Sequence, residues 1–115
     1  MGAPIVHFEI NGPDLEAKES FYGALFDWSF QRPNGMPYSL VDTGNGEQGL
    51  RGGIGQPPDG QEFVTVYAMV DDVTATLDRA ESLGARTVMP RTEMPMVTVG
   101  LFADPQGQVF GLVEG

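Results

Sequence analysis

Short apolar runs alternate with turn-forming residues along the first half of the chain, and a helical pattern interrupts them once. Ile5–Ile10 is rich in β-forming residues, and Asn11–Asp14 ends this run and begins a helix. The spacing of apolar residues predicts that the helix ends near Phe26. Three further strands are predicted in this half, at Trp28–Gln31, Pro37–Val41 and Leu50–Ile54.

The second half follows the same plan. Val64–Val70 predicts a strand, and Asp71 and Asp72 begin a helix whose apolar residues recur at helical spacing until Gly84 ends it. The remaining strands are predicted at Arg86–Met89, Met96–Phe102 and Val109–Val113. Residues 104–107, Asp-Pro-Gln-Gly, fit a type I turn. The segment 55–61, rich in proline and glycine, links the two halves.

The two halves are copies of each other at an offset of 58 residues. Identical residues recur at this offset in the pairs Asp14/Asp72, Ala17/Ala75, Leu25/Leu83, Gly49/Gly107 and Gly53/Gly111. The chain of 115 residues has the length of one domain. We therefore predict an α+β fold in a single domain, 1–115, with repeats at 4–54 and 62–113 and a pocket between them.

Alternation of side chains along the predicted strands places polar groups on one face of the sheet. The alternate apolar positions from Val6 to Ile10 must cover the helix, so His7 and Glu9 point the other way. The same reasoning on the matching strands completes a set of five predicted ligand-binding residues: His7, Glu9, Arg51, Thr65 and Tyr67.

The chemistry of this set leaves several roles open. His7, the only histidine, is either an acid or base near neutral pH or a hydrogen-bonding residue without a catalytic task. Glu9 is either an acid or base or part of a structural ion pair with Arg51. Arg51 could instead hold a ligand carboxylate. Tyr38 and Tyr67 either contact a ligand or pack in the sheet.

The composition excludes several classes of function. The formal net charge is −10, from 16 acidic and 6 basic residues, which argues against binding to nucleic acids and to anionic membranes. The chain has no cysteine, so disulfides, thiolate metal sites and a cysteine nucleophile are excluded. No signal peptide or membrane-spanning run is recognised, and we expect a cytoplasmic protein.

The chain resembles the vicinal oxygen chelate superfamily, which includes glyoxalase, the bleomycin-resistance proteins and the extradiol dioxygenases. The segments that carry the resemblance are His7–Ile10 with Asp14, Phe21–Trp28, Gly52–Ile54, Val70–Val73, Leu83–Ala85 and Phe102–Gly107. The resemblance implies two tandem βαβββ modules whose mixed sheet forms a cup with the helices outside. It also implies a homodimer.

Metalloenzymes of this superfamily place one ligand on the first strand and one on the last strand of each module. By resemblance these positions fall on His7, Gly53, Thr65 and Gly111. Only His7 retains a side chain that binds metal well, and Glu9 on the same face is a candidate second ligand. Since such sites normally use three or more protein ligands, we expect no cofactor, with a divalent metal as the minority alternative.

Two functions remain open at this stage. The first is a glyoxalase-like or bleomycin-resistance-like protein that binds a small, partly apolar molecule in the cup without the standard metal site. The alternative is a metal-assisted lyase, isomerase or epimerase that uses His7 and Glu9 as catalytic residues.

Overall fold

A computed structural model describes residues 2–44 and 49–115, apart from the side chain of Asn34. The first module contains β1 (Ile5–Asn11), α1 (Leu15–Phe26), β2 (Ser29–Gln31), a 3₁₀ turn (Pro33–Gly35), β3 (Tyr38–Asp42) and β4 (Gly52–Gly55). The second module contains β5 (Phe63–Val70), α2 (Val73–Ser82), β6 (Arg86–Glu93), β7 (Thr98–Ala103) and β8 (Val109–Glu114).

Both modules have the same strand connections. In the first, the strand order is β2-β3-β4-β1, with β1 and β4 parallel and the other neighbours antiparallel. In the second, the order β6-β7-β8-β5 repeats this plan, with β5 and β8 parallel. The predicted α+β class with two βαβββ modules and mixed strand pairing is confirmed.

Contacts divide the chain into two compact units. The first unit is His7–Val64, and the second unit consists of the residues up to Val6 together with Thr65–Gly115. The first few residues join the second unit because the Met69 N–H donates to the Pro4 carbonyl at 2.9 Å. The boundaries of these two units therefore differ from those of the predicted repeats, 4–54 and 62–113.

Each unit packs its helix on one face of its sheet. The core of the first unit consists of Ile10, Leu15, Val41 and Ile54, with Phe8, Tyr22, Trp28 and Phe30 packed against it. The core of the second unit consists of Ala68, Val73, Leu77 and Leu112, with Val70, Phe102 and Phe110 packed against it. The residues of β1, β4, β5 and β8 in these lists are ones that alternation assigned to the helix side, so the opposite face of each sheet is left for other groups.

Both helices begin with the same pair of contacts. Asp14 accepts a hydrogen bond from the Ala17 N–H at 3.0 Å, and the Gln56 side chain accepts one from the Leu15 N–H at 3.0 Å. In the second unit, Asp72 accepts from the Ala75 N–H at 3.0 Å, and Glu114 accepts from the Val73 N–H at 2.9 Å. Because the first N–H groups of a helix lack partners within the helix, these side chains stabilise its start.

Strand β6 is longer than predicted. The sequence placed its end at Met89, before Pro90, but the strand continues to Glu93 with two register shifts against β7. Since β6 is at the edge of the second unit's sheet, Pro90 has no need to donate a hydrogen bond on its outer side. Edge position therefore explains why a proline lies within this strand.

Neither helix in the described ranges is suited to crossing a membrane. Helix α1 has 12 residues and α2 has 10, whereas a span needs about 20 consecutive apolar residues.

Candidate functional site

Strands β1 and β4 place three of the predicted site residues side by side in the first unit. The parallel pairing matches Phe8 with Gly52 and Glu9 with Gly53. His7 and Arg51 precede the first of these pairs and are therefore neighbours on the face opposite the helix. The structure thus brings His7, Glu9 and Arg51 together on one face, as alternation along the strands predicted.

Tyr38 occupies the space above Gly53. Leu40 is the residue of β3 that pairs with Gly53, and Tyr38 lies two residues before it on the same face. A Cβ atom on Gly53 would overlap the Tyr38 phenol oxygen and ring. The glycine therefore permits the tyrosine to cross β4 and reach β1.

The Tyr38 hydroxyl joins a short chain of hydrogen bonds on this face. The oxygen lies 2.8 Å from His7 Nε2, and the hydroxyl donates to Glu9 Oε2 at 2.9 Å. The other carboxyl oxygen of Glu9 accepts from Asn11 Nδ2 at 3.0 Å. Asn11 is only 5% exposed, so the group that holds this oxygen of Glu9 is itself fixed by packing.

The network also determines the state of His7. Since the Tyr38 hydroxyl donates to Glu9, its oxygen can accept from His7 Nε2, which favours the tautomer with the proton on that nitrogen. Burial lowers the pKa of His7 below 6.5, and the nearby Glu9 charge opposes this shift only in part. His7 is therefore neutral at pH 7 and protonated on Nε2.

A depression of about 540 Å³ opens beside this network, within the first unit. We call it the first-unit depression. It is lined by His7, Ser29, Phe30, Gln31, Leu40, Val41, Asp42, Arg51 and Gly52. Its volume lies in the range of small-molecule sites. The sequence analysis did not identify its β2 and β3 walls, nor the roles of Tyr38 and Asn11.

The ion pair between Glu9 and Arg51, one of the alternatives for Glu9, is not among the salt bridges of the described residues. Glu9 pairs with Gly53, two residues beyond Arg51, and its oxygens accept from Tyr38 and Asn11. Within residues 2–44 and 49–115, no carboxylate lies at salt-bridge distance from Arg51. Its guanidinium is exposed at the first-unit depression.

The remaining two predicted site residues, Thr65 and Tyr67, belong to the second unit. Thr65 is 5% exposed, and its hydroxyl donates to the Val109 carbonyl at 2.9 Å. Tyr67 pairs with Gly111 across β5 and β8, and a Cβ atom on Gly111 would overlap the Tyr67 ring. Each of the two matching glycines is thus covered by a tyrosine of its own unit.

A second depression, of about 580 Å³, lies in the second unit. It contains the carboxylates of Asp71, Glu93 and Glu114. Glu114 forms an ion pair with Arg91 at 2.7 Å and accepts from the Val73 N–H. The contact with Arg91, followed by that with Val73, lowers the pKa of Glu114 to about 2. This carboxylate therefore stabilises the fold and is not available to a ligand.

The residues present do not fit the metal centre that the superfamily resemblance implies. In the first unit, the Tyr38 phenol fills the place of a side chain at Gly53 and holds both His7 and Glu9. In the second unit, the Thr65 hydroxyl donates a hydrogen bond to the Val109 carbonyl, and the Tyr67 ring covers Gly111. No cluster of three or more metal-binding side chains occurs in the described part of the chain.

With this geometry established, comparison with known proteins identifies the family. The family model described as a glyoxalase-like domain matches residues 7–113. The chain belongs to the glyoxalase-like family. The resemblance to the vicinal oxygen chelate superfamily is thereby confirmed.

The glyoxalase-like chain also resembles longer proteins. It is 27% identical to anthracycline biosynthesis protein DnrV of Streptomyces peucetius over 146 aligned positions, covering 99% of this chain and 49% of DnrV. A similar match, at 26% identity, is to anthracycline biosynthesis protein DauV of Streptomyces sp. (strain C5). The chain spans about half the length of these curated relatives.

Solved structures share the fold of the glyoxalase-like chain. Methylmalonyl-CoA epimerase from Mycobacterium tuberculosis matches with a TM-score of 0.64 at 17% identity, covering 96% of this chain and 86% of that chain. The Mn(II)-bound glyoxalase from Novosphingobium aromaticivorans matches with a TM-score of 0.65 at 12% identity, covering 97% and 38%. At these identities the likeness shows the fold alone.

Proposed function

We propose that this glyoxalase-like chain binds a small, partly apolar molecule in the first-unit depression and does so without a metal ion. The observation that carries the proposal is the Tyr38 hydroxyl, held between His7 Nε2 and Glu9 Oε2 at 2.8 and 2.9 Å. A metal held by His7 and Glu9 would have to displace this hydroxyl and break both hydrogen bonds.

The walls of the depression support a small organic ligand. Leu40 provides apolar surface, and Ser29, Gln31 and Arg51 provide hydrogen-bond donors. A concavity that combines apolar surface with polar groups able to orient a ligand is typical of small-molecule sites. The name of DnrV assigns that protein to anthracycline biosynthesis, which also involves small organic molecules and agrees with a ligand of this kind.

The alternative is a metal-assisted lyase, isomerase or epimerase that uses His7 and Glu9. Metal content separates the two. Protein purified without chelator should hold no stoichiometric metal by elemental analysis, and calorimetric titration with Ni²⁺, Zn²⁺ or Mn²⁺ should show no tight site. The Tyr38→Ala variant is the matched comparison, since it removes the hydroxyl and leaves His7 and Glu9. One tightly held ion per wild-type chain, lost in His7→Ala, would overturn the proposal.

Ligand binding itself is tested by a thermal-shift screen of small organic molecules, because a ligand that binds only the native state raises its melting temperature. Resonances of the depression residues should shift with each hit in an NMR titration. Hits that shift only other parts of the chain would count against this site.

The homodimer and the cytoplasmic location remain predictions. Sedimentation analysis of the purified chain measures whether it forms a dimer.

A further inference from the structure

We infer that the ligand of the first-unit depression carries a single carboxylate, which Arg51 binds. The inference rests on the proposed function and adds the chemical class of the ligand. Arg51 offers two parallel N–H donors that match a carboxylate, a geometry that a lysine lacks.

The placement of Arg51 suits this role. It immediately precedes β4, next to His7 on β1. Among the described residues, two of the other four arginines are engaged in ion pairs: Arg32 contacts Glu19 and Arg91 contacts Glu114. Arg51 has no such contact within the described ranges and lines a depression. Within those ranges, the Arg51 guanidinium therefore has no ion-pair partner that a ligand carboxylate would have to displace.

The other basic group of the depression does not compete for this role. His7 is neutral at pH 7 because burial lowers its pKa, so it acts there as a hydrogen-bonding group. Ser29 and Gln31 lie on the same face as Asp42 and Leu40 through the β2–β3 pairing. They provide neutral donors and leave the binding of charge to Arg51.

Asp42 limits the ligand to one negative charge. Val41 pairs with Gly52, so Asp42 lies beside Arg51 on the neighbouring strand. One oxygen of Asp42 accepts from the Gly44 N–H at 2.8 Å, which fixes its carboxylate at the edge of the depression. A second anionic group on the ligand would meet this carboxylate and be repelled.

The overall charge gives the inference further weight. A chain with a net charge of −10 repels anions at long range. Binding of a carboxylate therefore requires a local cation, and Arg51 is the arginine at this depression. Without it, a neutral molecule would bind better than an anion of the same shape.

The experiment uses matched pairs of probes on the full chain. Each pair consists of an arylalkanoate, beginning with 3-phenylpropanoate, and its neutral primary amide, with affinities measured by NMR titration at pH 7. We expect the carboxylates to bind more tightly than the amides. Arg51→Gln should weaken carboxylate binding about ten-fold or more, because charge-assisted hydrogen bonds are among the strong ones. The affinity of Arg51→Lys for the carboxylates should lie between that of the wild-type chain and that of Arg51→Gln.

Two further variants sharpen the test. Asp42→Asn removes the neighbouring negative charge and should tighten carboxylate binding without affecting the amides. Arg86→Gln removes an exposed arginine from β6 in the second unit. It should change neither the affinity for carboxylates nor the affinity for amides. Circular dichroism of every variant confirms that the fold is retained.

The possible results separate the two proposals. Equal binding of amides and carboxylates at the depression, unchanged in Arg51→Gln, would overturn the carboxylate inference and leave the proposed function standing. Resonance shifts confined to other regions, or no binding by any pair in the panel, would count against both.

Discussion

At the scale of single residues, one tyrosine and one glycine determine the character of the candidate site. Gly53 leaves the gap, and the Tyr38 ring fills it and places its hydroxyl between His7 and Glu9. The result is a fixed, neutral histidine in a hydrogen-bonded network. A side chain at position 53 would displace the phenol and release both partners.

The state of His7 leads to a prediction about pH. Its pKa is lowered in the folded protein, so the unfolded chain binds the proton more readily below pH 6.5. The free energy of unfolding should therefore decrease as the pH falls below 6.5 and through the folded-state pKa. The variant His7→Gln should lack this part of the pH dependence, measured by urea denaturation across a pH series.

The same titration tests the influence of Glu9. Its negative charge raises the pKa of His7 against the effect of burial, so Glu9→Gln should lower that pKa further, as followed by the His7 Cε1–H resonance. Glu62→Gln, at an exposed position of the first unit, is the control and should leave it unchanged. A higher His7 pKa in Glu9→Gln would show that this charge is not what opposes burial.

The sequence predicted only part of this network. Alternation along β1 placed His7 and Glu9 on one face because this rule depends on neighbours in sequence. Tyr38 was considered, but its role depends on passing over Gly53 from another strand. A pattern of neighbouring residues in the sequence does not predict a contact between side chains of different strands. Asn11 was interpreted as part of the segment that ends the first strand, and it is the last residue of β1; its contact with Glu9 was not predicted.

At the scale of secondary structure, the 58-residue offset extends to the hydrogen bonds that begin the helices. Asp14 and Asp72 cap α1 and α2, and Gln56 and Glu114, which also correspond at this offset, bind the first N–H of each helix. The repeat therefore preserves a mechanism of helix initiation as well as an order of elements. Strand ends were less predictable. The sequence placed the end of β6 before Pro90 because proline usually interrupts a strand, but the sequence does not show that β6 lies at the edge of a sheet, where proline is tolerated.

The shared caps predict matched losses of stability. Asp14→Ala and Asp72→Ala should each lower the free energy of unfolding by about 1 kcal/mol, the usual cost of losing an N-cap. The asparagine variants retain an acceptor oxygen and should cost much less. Asp78→Asn, in the middle of α2 and exposed, is the control in urea denaturation. An asparagine variant as unstable as the alanine one would show that charge, rather than capping, stabilises the helix.

At the scale of the whole molecule, repulsion among the excess acidic residues lowers the stability of the fold, whereas the few ion pairs raise it. Sixteen acidic residues face six basic ones, and in the described ranges the arginines with ion-pair partners are Arg32 and Arg91. Ion pairs as exposed as these contribute little to stability. Repulsion among the remaining carboxylates is a long-range effect that compact folding increases.

This balance predicts that salt stabilises the protein. Raising NaCl from about 10 mM to about 150 mM shortens the screening length from about 30 Å to about 8 Å. Repulsion between distant carboxylates weakens strongly over this range, while ion pairs in contact lose less. The melting temperature measured by calorimetry should therefore rise. A variant with Glu62→Gln, Asp71→Asn and Asp78→Asn, all at exposed positions, should show a smaller rise. A melting temperature that falls with salt in the wild-type chain would mean that the Arg32 and Arg91 ion pairs outweigh the repulsion.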